Sequence, residues 1–348
     1  MGFIWFWLVA VMLVAYVVLD GFDLGVGILH PFLARNEKDR QIMLRAIGPV
    51  WDGNEVWLVA GGGTLYFAFP LLYASAFSGF YLALMIVLWL LIMRGASIEL
   101  RAQIDSTVWR SFFDGLFFFS STLLAIFFGA ALANVIRGVP LADDGYFFLP
   151  LWTNWRVGET PGILDWYTVM GGVVALVALA VHGALYLAVK TEGDLQRRAK
   201  GMIQRVGIAL VVATAVSLPG TMIARPDSLA NYRMYPVLFV IPALVLLALG
   251  GIIYFSRKDA DHAAFGCSCA YLSLMMVGAA AGLFPRLLPS SVDPARDITV
   301  EKAISGAYAL RVGLVWWVIG MALAFAYFFI IYRMFRGKVS LEGGGYGH

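Results

Sequence analysis

Gly48 to Leu58 reads GPVWDGNEVWL and opens an apolar run that continues to Phe69. The stretch holds two carboxylates, Asp52 and Glu55, flanked by Trp51 and Trp57. Residues at i and i+3 lie on nearly one side of a helix, so the two acids share a face. In water this is an ordinary first turn, with Asp52 favoured there by the helix macrodipole. In a bilayer the same acids are costly and need a purpose. The surrounding solvent decides the reading.

Composition answers membrane. Of 348 residues, 61% are hydrophobic and 14% charged, against about 25% charged in soluble domains. The formal net charge is +3, and no basic stripe interleaved with aromatics points to nucleic acid. Cys267 and Cys269 lie inside an apolar run without a second pair, so they read as packing residues and not a zinc site. The apolar run from Phe3 has no basic segment before it and no clear cleavage site, which predicts a retained first helix.

A spanning helix needs about 20 mostly apolar residues. The sequence predicts an all-α, polytopic membrane protein, a single membrane-integral domain over 1–348 with about nine transmembrane helices. Their approximate limits are 3–29, 50–69, 74–94, 113–136, 164–189, 205–224, 234–256, 262–284 and 311–332. The first is long enough to tilt or to emerge from the bilayer. Pro70 predicts a tight antiparallel hairpin between the second and third. The spacing is compatible with two four-helix bundles plus one helix. Of the 25 Lys and Arg, 17 follow the odd-numbered helices and 8 follow the even-numbered ones. Basic loops stay inside, so the N-terminus is expected outside and the C-terminus in the cytoplasm.

Helix one ends in Asp20-Gly21-Phe22-Asp23-Leu24-Gly25-Val26-Gly27, a second acidic i, i+3 pair among glycines that allow close helix approach. A charged Asp at mid-membrane costs about 2.5–3.5 kcal/mol on insertion scales. Asp23 is expected in the inner half of the membrane, with Asp52 and Glu55 entering from the same side. The two pairs then face each other. Four such carboxyls are not all ionised unless hydrated or paired, which is the chemistry of a proton relay or a cation site. Arg94, at the end of helix three, is a candidate charge partner for one of them, or it snorkels to the headgroups. His182 reads as a haem ligand, a proton relay or a hydrogen-bonded structural residue. With His30, His262 and His348 so dispersed, a multi-haem centre is not expected, nor is a metal site. Gly61-Gly62-Gly63 lacks the Lys-Ser/Thr of a phosphate loop and reads as a packing surface.

Four segments carry a resemblance: LDGFDLGVGILHPF (19–32), IGPVWDGNEVWLVAGGGTLYFAFP (47–70), YASAFSGFYLAL (73–84) and HGALYLAVKTEGDLQRRA (182–199). In content, order and spacing they resemble subunit II of the cytochrome bd-type quinol oxidases. The resemblance implies a complex in the bacterial cytoplasmic membrane that oxidises quinol and reduces dioxygen to water. It implies haem b and haem d ligated by the partner, subunit I, with none ligated here and no catalytic residue in this chain. It implies a two-bundle, nine-helix subunit in pseudo-symmetric contact with subunit I, with a small accessory subunit as a further candidate partner. It implies cytoplasmic proton entry at the aspartates matching Asp23 and Asp52; Glu55 and Asp20 join them as proton-pathway candidates from the acidic spacing alone. A bound quinone and a dioxygen route are implied near Trp57, with Trp51 a second motif tryptophan in that neighbourhood. The loops 137–163 and 285–311 follow no family pattern.

The competing reading is a secondary transporter or cation channel that uses the same acidic pairs. Transporters more often show inverted repeats and broken helices in matching positions, and none are visible in the sequence. The motifs favour the oxidase subunit.

Overall fold

A computed structural model describes residues 1–158 and 161–339; Glu159, Thr160 and the tail from Ser340 to His348 lie outside the described residues. The chain is helical almost throughout. Among the described residues, eight helical stretches are long and apolar enough to cross a membrane: Gly2–Leu33 (α1), Tyr81–Leu100 (α5), Thr107–Arg137 (α6), Trp166–Lys190 (α7), Gly193–Ala224 (α8), Pro236–Arg257, Asp261–Leu283 (α11) and Ala307–Met334 (α13). Within the sixth of these, Pro236–Phe239 is a 3-10 turn that leads into Val240–Arg257 (α10). The protein is a multi-pass, all-α membrane protein. The helix expected over 50–69 is present as Trp51–Ala68 (α3), but it falls outside that apolar class. Asp52, Asn54 and Glu55 in its first turns are the reason.

Shorter helices fill the connections. Glu37–Ile47 (α2) follows α1, with the Asn36 side chain accepting from the Asp39 amide at 2.8 Å as its cap. Ala230–Met234 (α9) and Val300–Ala303 (α12) lie in the loops at the other end. After the one-residue turn at Phe69, the expected third helix is broken in two: Pro70–Gly79 (α4) precedes α5, with Phe80 alone between them. Pro70 suits the first turn of α4, where no amide is needed. The break before α5 comes where the loop after α6 docks. The Leu149 amide donates to the Gly79 carbonyl at 3.2 Å, and a Cβ on Gly79 would stand 2.3 Å from the Phe147 ring. The helix over 205–224 also begins earlier than expected, at Gly193, because its charged first turns run on outside the apolar layer.

Helices α1, α3, α5 and α6 form one set of neighbours, and α7, α8, α10 and α11 a second, with α1 lying against α7. That junction depends on two glycines. A Cβ on Gly25 would stand 2.1 Å from the Leu179 carbonyl oxygen and 2.7 Å from the Gly183 Cα, so only hydrogen fits. Phe22 then stacks on Tyr186 at 4.0 Å, and the Tyr186 hydroxyl donates to the Ala46 carbonyl at 2.7 Å. Helix α13 lies outside both sets, with Leu310 its one fully buried residue. Between the sets runs an apolar cavity of about 570 Å³ bordered by Tyr16, Tyr167 and Tyr271.

Charges gather at the two ends of the helices. At one end Arg101 forks to both oxygens of Glu37 at 2.9 Å and to Asp114 at 2.6 and 3.0 Å, tying α2, α5 and α6 together. At the other, Arg137 pairs with Asp165, the N-cap of α7, while Arg225 and Arg286 share Asp227. The 285–311 loop carries a two-stranded ribbon of Arg286–Leu288 (β1) and Ile298–Thr299 (β2). It is fastened to the loop after α6 by bonds between Val139 and both Pro289 and Ser291.

Guanidinium donation from Arg101 holds the Glu37 carboxyl below its usual range. A depressed carboxylate contributes stability above its unfolded value and loses it as pH falls through the folded one. The detergent-solubilised protein should therefore melt progressively earlier below about pH 4, and Glu37→Gln should flatten that acid dependence. Thermal midpoints against pH for the two proteins check this; parallel curves would remove Glu37 from the account.

Candidate functional site

The acids of α1 are deeply buried: Asp20 is 0% exposed and Asp23 1%. Arg94, on α5, is likewise 0% exposed and meets Asp20 with Nη1 to Oδ1 at 2.7 Å. Its Nη2 lies 3.1 Å from Glu55 Oε2, so one guanidinium stands between carboxylates of α1 and α3. Snorkelling is thereby excluded for Arg94. Beside it, Gly95 makes room for buried Trp51; a Cβ there would stand 3.3 Å from the indole.

Asp23 is engaged differently. Asn54 Nδ2 donates to Asp23 Oδ2 at 2.8 Å and to the Leu19 carbonyl at 3.2 Å. The Tyr332 hydroxyl, on α13, donates to Asn54 Oδ1 at 2.8 Å. Five side chains from α1, α3 and α5 thus converge: Asp20, Asp23, Asn54, Glu55 and Arg94. Several polar atoms among them are buried without a protein partner, including Asp20 Oδ2, Asp23 Oδ1, Arg94 Nε and the nearby Tyr16 hydroxyl. Each such atom costs about 1–3 kcal/mol unless water satisfies it.

Asp52 does not join them. Its position on α3 is exposed, whereas Asn54 is buried and Glu55 half-buried. Two residues three apart differ by about 60° around a helix, and here that offset turns Glu55 to Arg94 and Asp52 outward. The two acidic pairs therefore do not face each other as complete pairs. Asp52 shares its outward stripe with Val56, Val59 and Tyr66, which are 56%, 73% and 62% exposed.

His182 is fully occupied. Nε2 faces the Val18 carbonyl at 2.9 Å and must donate to it, which leaves Nδ1 to accept from the Ser268 hydroxyl at 2.8 Å. The ring stacks on Phe265 at 4.9 Å. Of its three readings, this geometry fits the structural one. Trp57 packs with Met12 and Tyr16, and its ring lies 5.5 Å from Phe328 and 6.4 Å from Phe325 on α13. Among the described residues, no group of three or more His, Cys, Asp or Glu is placed to hold a metal ion. Sequence reasoning missed Asn54 and Tyr332. Asn54 was visible as an amide in the first turns of an apolar helix; Tyr332, 278 residues further on, carried no local signal.

Comparison with known proteins places these features in a wider set. The family described as cytochrome bd terminal oxidase subunit II matches residues 1–335. The chain is 34% identical to cytochrome bd-I ubiquinol oxidase subunit 2 of Escherichia coli K12, covering 89% of this chain and 87% of that protein. It is 33% identical to cytochrome bd ubiquinol oxidase subunit 2 of Bacillus subtilis 168, covering 89% and 88%. It is 32% identical to a probable cytochrome oxidase subunit 2 of Haemophilus influenzae, covering 97% and 94%. Its fold matches a chain of the bd oxidase from Geobacillus thermodenitrificans with a TM-score of 0.73 at 14% identity, covering 96% of this chain and 98% of that one.

Replacing one partner of a buried ion pair leaves an uncompensated charge and costs about 3–5 kcal/mol. Arg94→Leu should therefore be severely destabilised or fail to accumulate. Arg94→Leu combined with Asp20→Leu should recover much of the loss, because both charges leave together. Thermal midpoints of the single and double variants in detergent decide the matter; an additive or larger loss in the double variant would contradict the pairing.

Proposed function

The chain belongs to the cytochrome bd terminal oxidase subunit II family, and from that premise we propose that it supports a haem-bearing subunit I and supplies protons to it from the cytoplasm. It is a multi-pass protein of the bacterial cytoplasmic membrane, and it acts as one membrane-integral domain with its N-terminus outside. The complex oxidises quinol and reduces dioxygen to water. That reduction consumes protons, and the partner needs a polar way to reach them.

One observation carries the reading: three carboxylates gather inside the apolar layer around one guanidinium, with Asp20 and Glu55 on Arg94 and Asp23 held beside them by the Asn54 amide. Arg94 neutralises one of them. The surplus negative charge is a place for protons, held at carboxyl oxygens that lack a protein partner, such as Asp23 Oδ1. Arg94 and Asn54 keep the carboxylates oriented, and the apolar walls around them exclude bulk water. The basic end of the helices, with Arg101, Arg40 and Arg110 around Glu37 and Asp114, lies on the side that the loop charges assign to the cytoplasm.

Asp52 belongs to the next step. A carboxylate on a lipid-facing helix surface is costly, so the stripe Asp52, Val56, Val59 and Tyr66 is better matched by a protein partner than by acyl chains. We place subunit I against this stripe and the neighbouring α13. Asp52 then hands protons across the subunit boundary. Haem b and haem d belong to that partner: His182 has both nitrogens engaged, and His30 is wedged against Asp114 and Phe117. When bound there, they supply the electron transfer to dioxygen. The apolar cavity beside Tyr16 has room for a quinone, and the packed surroundings of Trp51 and Trp57 for a dioxygen approach. A small accessory subunit is a further partner implied by the family resemblance. The transporter reading loses its ground with the family membership.

Asp23→Asn and Asp52→Asn keep shape and remove the titratable proton. In the purified complex each should slow oxygen consumption about tenfold or more, while haem absorption stays. Wild-type turnover and proton uptake in both variants would end the proton-delivery reading.

A further inference from the structure

Asn54 is held in one orientation by chemistry on both of its ends. Its Nδ2 faces the Leu19 carbonyl, which only accepts, and Asp23 Oδ2. The remaining oxygen, Oδ1, must therefore accept, and the group that reaches it is the Tyr332 hydroxyl at 2.8 Å. The result is a one-way chain: Tyr332 O–H to Asn54 C=O, then Asn54 N–H to Asp23. Successive bonds of this kind polarise one another, more so where water is excluded.

We propose that Tyr332 is a positioning residue that acts through Asn54 to set how readily Asp23 takes up a proton. The inference rests on the reading of Asp23 as a proton carrier. Tyr332, itself half-buried, links the last helix to the buried acids through Asn54, on a helix whose one fully buried residue is Leu310. Its place is secured from beyond the helix end. Lys190 Nζ donates to the Phe335 carbonyl at 2.5 Å, Lys338 Nζ to the Thr191 carbonyl at 2.7 Å, and the Val339 amide to the Lys190 carbonyl at 2.8 Å. The seating of α13 on the end of α7 thereby fixes the hydroxyl that orients Asn54. A shift of α13 removes or restores the donor at Asn54 Oδ1 and so changes the bond that the Asn54 amide makes to Asp23. The other titratable or charged groups facing this place are Asp20 and Tyr16 on α1, Glu55 on α3, Arg94 on α5, Tyr186 on α7 and Cys269 on α11. None of them reaches Asn54 Oδ1 within hydrogen-bond distance.

The test is the pH profile of oxygen consumption by the assembled oxidase. Tyr332→Phe removes the hydroxyl and keeps the ring against Phe328. It should move the profile by roughly half a pH unit or more. A fluorotyrosine introduced at position 332, a stronger donor of the same shape, should move it the opposite way. On an Asp23→Asn background the Tyr332→Phe shift should vanish. An unmoved profile in the Phe variant, or a shift that persists on that background, overturns the proposal. Should the Phe variant lose its haem and fail to assemble, the fluorotyrosine protein decides alone, and an unmoved profile there has the same force. Wild-type turnover and proton uptake in Asp23→Asn would instead remove Asp23 as a carrier, and this inference with it. An impaired Asp23→Asn beside an inert Tyr332→Phe removes only the positioning role.

Discussion

A guanidinium with no access to water sets the terms for everything around it. Arg94 is fully buried on a membrane helix, and such a charge is tolerated only with a close counter-charge and good geometry. Asp20 meets that need at 2.7 Å and Glu55 adds a second carboxylate at 3.1 Å. The pair fixes the rotation of α1, α3 and α5 relative to one another, because a turn of any one would strand a charge in hydrocarbon. Trp51 then lies over Gly95, Asn54 comes within reach of Asp23, and Asp52 is left facing outward. A single ion pair thus decides which acids are enclosed and which are presented to a neighbour.

The arrangement also separates two tasks that acids in a membrane must perform. Structural acids need a fixed counter-charge, as Asp20 has. Exchangeable ones need the opposite, an environment in which losing or gaining a proton is not prohibitive. Asp23 has no guanidinium of its own, only the amide of Asn54 and a free second oxygen. The close approach of α1 to α7 through Gly25 and Gly183 brings His182 and Tyr186 up behind this face, with their polar atoms already satisfied. One side of the site is therefore rigid, while the other keeps spare hydrogen-bonding capacity.

Much of this was legible in the sequence. Hydropathy gave the membrane class, and the i, i+3 acids together with Arg94 marked where a buried charge cluster forms. Four motif segments carried the family resemblance. What stayed hidden was set by three-dimensional geometry. The break at Gly79 depends on a loop docking some 70 residues later in the chain, at Phe147 and Leu149. The outward turn of Asp52 follows from a 60° offset whose direction only packing decides. His182 stayed open between haem ligand, relay and structural residue because sequence cannot show Val18 and Ser268 closing on its two nitrogens. Tyr332 was one aromatic among many on an apolar helix, and its pairing with Asn54 has no sequence signal at all.

On the proposed function, the enclosed acids of this chain and the outward Asp52 form one route into a protein partner. A structure of the assembled complex, at a resolution that shows ordered water, tests it most directly. The account predicts subunit I packed over Asp52, Val56, Val59 and Tyr66, with waters linking Asp52 to the Asp23 and Arg94 cluster. Lipid acyl chains along that face of α3, with Asp52 isolated from the cluster, would contradict it.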